Sequence, residues 1–273
     1  MDPDRRRALA EQIARQAGSR ALARFRRIDE LSIESKGHQD FVSDADRAVE
    51  HGIRAALARA CPDDAIVGEE HPASAGNSGF TWVIDPIDGT ANFINAIPTW
   101  AVVLAGVSGA RTRIGVIHDP CHDETFVAVA GGGAWLNGRP LALPATAAIS
   151  RGSIGIGYSN RCSAAGVRDL VGGIIRAGGV FQRNASGALS LAHVAAGRLL
   201  GYAEEHMNAW DCLAGQLLVA EAGGRVEQQD ADSMIAHGGR VIAATPGVFD
   251  DLVRICDAAW SPAPEPEPGP GPA

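Results

Sequence analysis

The segment Thr81-Trp82-Val83-Ile84-Asp85-Pro86-Ile87-Asp88-Gly89-Thr90 constrains this chain more than any other. Its first residues read as a buried β-strand running into Asp85, and Pro86 cannot donate to a ladder, which predicts a strand end there. Asp88 and Gly89 turn the chain, and Thr90-Ala91-Asn92-Phe93 can open a short helix. Such a turn aims two carboxylates, one from a strand end and one from a helix start, at the same spot. Hard anionic oxygens placed close together suit Mg²⁺. The amides of Gly89 and Thr90, at a helix N-terminus, suit a phosphate. An isolated Asp at a turn is normally just a turn former. Here the strand, the paired spacing and the Gly-Thr donors agree.

The surrounding pattern supplies helices and sheets. Leu9, Ile13, Ala17 and Ala21 recur at helical spacing, and Ala45, Val49, Ile53 and Leu57 repeat the pattern with Ser43 placed to cap. A polar stretch from Ser35 to Asp40 reads as a loop between them. Trp100–Val107, Arg113–His118 and Thr125–Val129 read as strands, and Asn137-Gly138 as a tight hairpin turn. Beyond Ser150, helices centred on Val167–Ile175, Leu189–Ala196, Trp210–Ala222 and Val248–Cys256 alternate with strands. The expected architecture is mixed α/β, with helices packed on sheets and no linker between independent domains.

Composition narrows the function. A formal net charge of -8 gives no expectation of nucleic-acid or anionic-membrane binding. The run Arg5-Arg6-Arg7 reads as a solvated helix face. Five scattered cysteines with no Cys-x-x-Cys pair argue against a disulfide scaffold or zinc site and fit a reducing cytoplasm. No signal-like or membrane-spanning stretch is legible. From Ser261 to Ala273 prolines alternate with other residues, which predicts a disordered extended tail.

Two further acidic places stand out. Ala65-Ile66-Val67-Gly68-Glu69-Glu70 reads as a short strand ending in carboxylates, and Asp211 opens a helix that closes in Glu221-Ala222-Gly223-Gly224. Each alone is ordinary, as a solvated strand end or a charge complementing a helix dipole. Taken in order, Gly68-Glu69-Glu70, the Asp85-to-Thr90 segment with Asn92-Phe93, and Trp210-Asp211 with Ala214-Gly215 resemble the signature of the inositol monophosphatase family. The resemblance runs from the first helix to Trp260 and omits only the proline tail.

That resemblance implies an α+β fold, a layered α-β-α-β-α sandwich of the inositol monophosphatase and fructose-1,6-bisphosphatase type. It would form one phosphatase domain over 1–260, with a metal-binding half of about 1–145 and a second half of about 146–260. It implies a homodimer, a Mg²⁺ cluster inhibited by lithium, and hydrolysis of a phosphate monoester by water activated at the metal. By matching positions, Glu69, Asp85, Asp88, Asp211 and the Ile87 carbonyl would be metal ligands. Thr90, helped by Glu69, would activate water, and the Gly89 and Thr90 amides would hold phosphate. Asp88, Arg183, Ala188 and Glu204 would face the substrate. Lys36, Asp40 and Asp46 would stand behind the metals, although Ser43 and Asp46 also read as a capping box.

Departures from the family pattern lie toward the substrate: Ser186-Gly187-Ala188 and Asn95-Ala96 replace its usual residues. The expected substrate is inositol monophosphate or a similar small polyol phosphate. Histidinol phosphate, fructose 1,6-bisphosphate and a nucleotide 3′-phosphate are the alternatives for the same chemistry. A regulatory or interaction protein is the alternative of another class.

Overall fold

The computed structural model describes residues 3–37, 40–145, 148–159 and 161–260, and at Glu30, 35–37 and 40–42 the backbone alone. The opening apolar stripe becomes α1 (Pro3–Phe25), with Ala10, Ile13, Ala14, Ala17 and Ala21 turned inward. The arginine run is not wholly on the wet face. Arg6 is buried and pairs with Asp64, which also accepts from Trp82 Nε1 at 3.0 Å. A guanidinium can leave water when a carboxylate takes two of its donors, so the pair ties α1 to the sheet.

The stretch expected as a loop is a hairpin of β1 (Ile33–Gly37) and β2 (Asp40–Ser43). Backbone pairing makes this ladder, and its polar residues carry no apolar alternation that could have announced it. Ser43 then caps α2 (Asp44–Ala60), its N–H donating to Asp46 Oδ2 at 2.9 Å in a capping box.

A seven-stranded sheet runs in sequence order through β3 (Ala65–Gly68), β4 (Thr81–Asp88), β5 (Ala101–Ser108), β6 (Arg111–Asp119), β7 (Glu124–Val129), β8 (Gly133–Leu136) and β9 (Arg139–Pro140). A short helix, α3 (Thr90–Ile94), leaves β4. Contrary to expectation, β4 does not end at Asp85. It pairs with β5 as far as Asp88, and the register slips between Asp85 and Asp88. The slip takes up Pro86 in a bulge, the one kind of interior place where a strand tolerates proline. Asn137 and Gly138 turn the β8–β9 hairpin with φ of 49° and 77°.

The second sheet is five-stranded. Along the chain come β10 (Ser153–Ile156), α4 (Ala164–Arg176), β11 (Val180–Gln182), α5 (Gly187–Ala195), β12 (Gly201–Met207), α6 (Ala209–Glu221), β13 (Arg225–Val226), α7 (Ala231–His237), β14 (Gly239–Ala244) and α8 (Pro246–Trp260). The strand order is β11-β10-β12-β14-β13.

Three apolar clusters join the layers. One packs α1 and α2 on the seven-stranded sheet, one holds α5 and α6 between the two sheets, and one packs α4 and α8 outside the five-stranded sheet. The result is the α-β-α-β-α sandwich. Gly215 lets α5 and α6 close on each other, since a Cβ there would come within 2.5 Å of Leu191 Cβ. No described helix is long and apolar enough to cross a membrane. The proline tail lies outside the described residues.

Candidate metal centre

Three elements deliver one carboxylate each. Asp85 sits at the bulge of β4, and its Oδ1 accepts the Ile87 N–H at 2.9 Å. Asp88 ends β4 and meets the N-terminus of α5, where Ser186 Oγ and the Ala188 N–H (2.9 Å) both donate to Oδ2. Asp211 lies in the first turn of α6 and accepts the Asn208 N–H at 3.2 Å. Each aspartate offers an oxygen, and these oxygens all lie within 4.8 Å of one another.

Burial makes this arrangement costly for the protein alone. It drives the Asp85 carboxyl well above its usual range, with the Glu69, Asp88 and Asp211 charges adding to the rise. Asp88 is pushed up to about 6 by burial, against the opposing pull of Ser186 and the α5 amides. Asp211 rises to about 8 from burial and then from the charge of Asp88. Among the described residues no arginine, lysine or histidine lies within salt-bridge distance of these three aspartates. An all-oxygen donor set carrying unbalanced negative charge fits a hard divalent cation.

Glu69 follows β3 and faces the same cavity of about 950 Å³ that Asp85, Ile87, Asp88, Gly89, Thr90 and Asp211 line. It stands beside the three-aspartate group rather than within its 4.8 Å circle. Glu50, fully buried on α2, accepts the Glu70 N–H at 2.8 Å and fixes that strand end. Thr90 Oγ1 lies 3.1 Å from both Asp46 Oδ1 and the Ile87 carbonyl. Asp46 therefore both caps α2 and reaches the cavity wall. Gly89 has φ of 99°, and a Cβ there would lie 3.0 Å from the Thr99 carbonyl, so neither its conformation nor its space admits a side chain.

The residues matched to the substrate divide. Arg183 lines the large cavity, and with Glu204 it also lines a smaller chamber of about 150 Å³ beside Asp88 and Asp211. Ala188 is fully buried, and its N–H is committed to Asp88. The side chains of Lys36 and Asp40 lie outside the described residues.

Sequence reasoning missed Glu50, Ser186 and Asn92 as supports. Asn92 Nδ2 joins the carbonyls of Thr99 (2.6 Å) and Asn184 (2.7 Å) under the turn. Ser186, three residues before Leu189 and an apolar helix, carried a legible capping signal. Glu50 looked like any helix acid four residues before an arginine.

Known proteins resemble this chain over nearly its whole length. The inositol monophosphatase family profile matches residues 2–261. The chain is 36% identical over 249 residues to the Nus factor SuhB of Haemophilus influenzae, covering 90% of this chain and 93% of that one. Among solved structures, the SuhB extragenic suppressor protein of Bartonella henselae superposes with a TM-score of 0.85 at 30% identity, covering 94% and 98% of the two chains. The IMPase of Thermotoga maritima gives 0.82 at 26% identity, covering 93% and 97%. The chain belongs to the inositol monophosphatase family.

Proposed function

We propose that the chain is a magnesium-dependent phosphate monoester hydrolase acting on inositol monophosphate or a similar small polyol phosphate. The observation that carries this reading is the convergence of Asp85, Asp88 and Asp211 below one cavity, with Glu69 and Thr90 in its wall. Glu69, the three aspartates and the Ile87 carbonyl would hold Mg²⁺. Bound there, the ion would polarise the phosphate, lower the pKa of water and stabilise the departing oxygen.

The remaining work belongs to the chain. The amides of Gly89 and Thr90 take phosphate oxygens as β4 turns into α3. The Thr90 hydroxyl gives its single proton to Asp46 or to the Ile87 carbonyl, which leaves lone pairs to accept from a water. Asp46 has its carboxyl raised by burial and is a competent proton acceptor behind it. Glu204, pushed up to about 7 mainly by burial, can exchange hydrogen bonds with a polyol hydroxyl. A homodimer, lithium sensitivity and cytoplasmic residence belong to the same reading.

The test is turnover of inositol 1-phosphate, histidinol phosphate, fructose 1,6-bisphosphate and an aryl phosphate with Mg²⁺ and with excess EDTA. Undiminished hydrolysis in EDTA rejects the metal role. A second reading draws on the relatives called Nus factors: a chain that serves transcription machinery as an interaction partner. It gains ground if the folded protein hydrolyses none of these esters.

A further inference from the structure

We propose that Arg54 of α2 is a positioning residue for the metal centre: with Glu50 it clamps the segment from Gly68 to Ser74 and so fixes where Glu69 stands beside the three aspartates. The proposal rests on the metal reading of that site and adds to it a pair of residues outside the cavity's own lining.

Glu69 sits in a short return of the chain. Ile66 and Ser74 close it, the N–H of each donating to the carbonyl of the other at 2.9 and 2.8 Å. Inside the return, two side chains of α2 take hold of the backbone. Glu50 Oε2 accepts the Glu70 N–H at 2.8 Å. Arg54 Nη2 donates to the His71 carbonyl at 3.0 Å, and Nη1 donates to Ser74 Oγ at 3.2 Å. Gly68 passes directly over Glu50, since a Cβ there would lie 2.3 Å from Glu50 Oε1. The residues on either side of Glu69 therefore both bear on α2.

A glutamate four residues before an arginine on a helix ordinarily makes a solvated pair of small worth. This pair differs in burial and in direction. Glu50 is fully buried, and Arg54 Nε donates to its Oε1 at 2.6 Å. His71 Nδ1 lies 3.4 Å from the same oxygen without making a hydrogen bond, which leaves Arg54 as the bonded cation. The other two nitrogens of the guanidinium turn away from α2 to the return, so one rigid fork joins helix and loop. A lysine, with one nitrogen, cannot span the same three partners. The spacing has the same sense. Asp46, Glu50 and Arg54 recur every four residues on one side of α2, Asp46 bonding Thr90 and the other two bonding the Glu69 return. One side of a single helix thus supports both Glu69 and Thr90 in the cavity wall.

The experiment measures Mg²⁺ binding by calorimetry in wild type, Arg54→Lys, Glu69→Gln and the double variant. Arg198→Lys is the control, loosening an Arg–Glu pair elsewhere. Lysine keeps a charge against Glu50, so the fold should hold. Arg54→Lys is expected to weaken Mg²⁺ binding by about 10-fold or more, the scale of losing an outer support of a metal ligand, and the control to leave it unchanged. In the Glu69→Gln background the same change should cost little, because the ligand it positions is already gone. Wild-type affinity in Arg54→Lys, or a loss that returns in full without the Glu69 carboxylate, overturns the proposal and leaves Arg54 to the fold alone. Where Glu69→Gln binds too weakly to measure, amide hydrogen exchange over 68–74 without metal decides. Faster exchange there in Arg54→Lys and not in the control keeps the proposal, and unchanged exchange overturns it. Should Arg54→Lys not fold, Ser74→Ala, which removes one loop acceptor, takes its place with a loss of about 3-fold expected. A wild type that binds no Mg²⁺ rejects the metal reading and the proposal with it. An intact result beside no ester hydrolysis rejects the hydrolase reading alone.

Discussion

Thr90 Oγ1 lies 3.1 Å from Asp46 Oδ1 and 3.1 Å from the Ile87 carbonyl, so one hydroxyl joins the cap of α2 to the bulge of β4. A hydroxyl has one proton and cannot satisfy both acceptors at once. Whichever takes it, the oxygen of this cavity-lining residue keeps lone pairs that can accept a hydrogen bond.

Thr90→Ala is therefore expected to slow turnover by about 10²-fold or more, the scale of lost proton-transfer assistance. The carboxylate cluster is untouched, so Mg²⁺ affinity should change little. Thr90→Ser keeps the hydroxyl and should recover most of the rate. Kinetics beside metal calorimetry decides the matter, and near-wild-type turnover in Thr90→Ala removes the hydroxyl from the mechanism.

Asp85→Asn tests the other half of the site. It removes one charge from a group whose members raise one another. Mg²⁺ binding and turnover should fall together, while the apo protein should gain melting temperature because repulsion among buried acids is relieved. An apo protein destabilised by this change would show that Asp85 supports the fold rather than the ion.

The same acids set a pH dependence. Asp88 titrates at about 6 and Asp211 at about 8, both above the 3.8 of an ordinary aspartate. Between about pH 4 and 8 the folded chain therefore holds protons that the unfolded chain has lost, and stability without metal falls as pH rises through that window. A cation that neutralises the cluster removes the loss. The rise in melting temperature on adding Mg²⁺ should be larger at pH 8 than at pH 5.5. Thermal unfolding at both values checks it, and an equal rise at each contradicts it.

How much of this was legible beforehand follows from which interactions are local. The strand into Asp85, the capped α2, the Asn137-Gly138 turn and the helix at Asp211 all rest on neighbours in sequence, and all formed. The β1–β2 hairpin was not legible because its few apolar residues, Ile33 and the adjacent Phe41 and Val42, do not alternate with polar ones. The extension of β4 past Pro86 was hidden for a different reason, since a bulge is visible only once a partner strand is in place. Of the site, the residue types were readable, but their supports were not. Ser186 reaches Asp88 across 98 positions, and Asn92 reaches Asn184 across 92. Such pairings are made by the packing of two halves of the chain.

Deleting 261–273 is expected to leave melting temperature and monophosphate turnover unchanged. The last described helix, α8, ends at Trp260, and its buried residues Val248, Phe249, Leu252, Cys256 and Ala259 all precede the cut. A segment with a proline at nearly every second position has few backbone donors and little apolar surface to bury. A melting temperature lowered by several degrees would show that the segment docks.

Glu204→Gln asks what the buried acid of the small chamber does. Its carboxyl accepts the Tyr202 hydroxyl at 2.7 Å, and glutamine can keep that bond through its own oxygen. What it cannot keep is a charged acceptor for a substrate hydroxyl. The loss should therefore fall on KM for inositol 1-phosphate, by an amount worth about 1–3 kcal/mol for a charge-assisted bond. A hydroxyl-free aryl phosphate should lose far less, because it leaves the chamber empty. The carboxyl titrates at about 7, so the difference between variant and wild type should widen from pH 6 to pH 8 as the native group ionises. Equal loss on both substrates at every pH would place Glu204 among the supports of Asp211, whose carboxyl it helps to raise, instead of among the contacts to substrate.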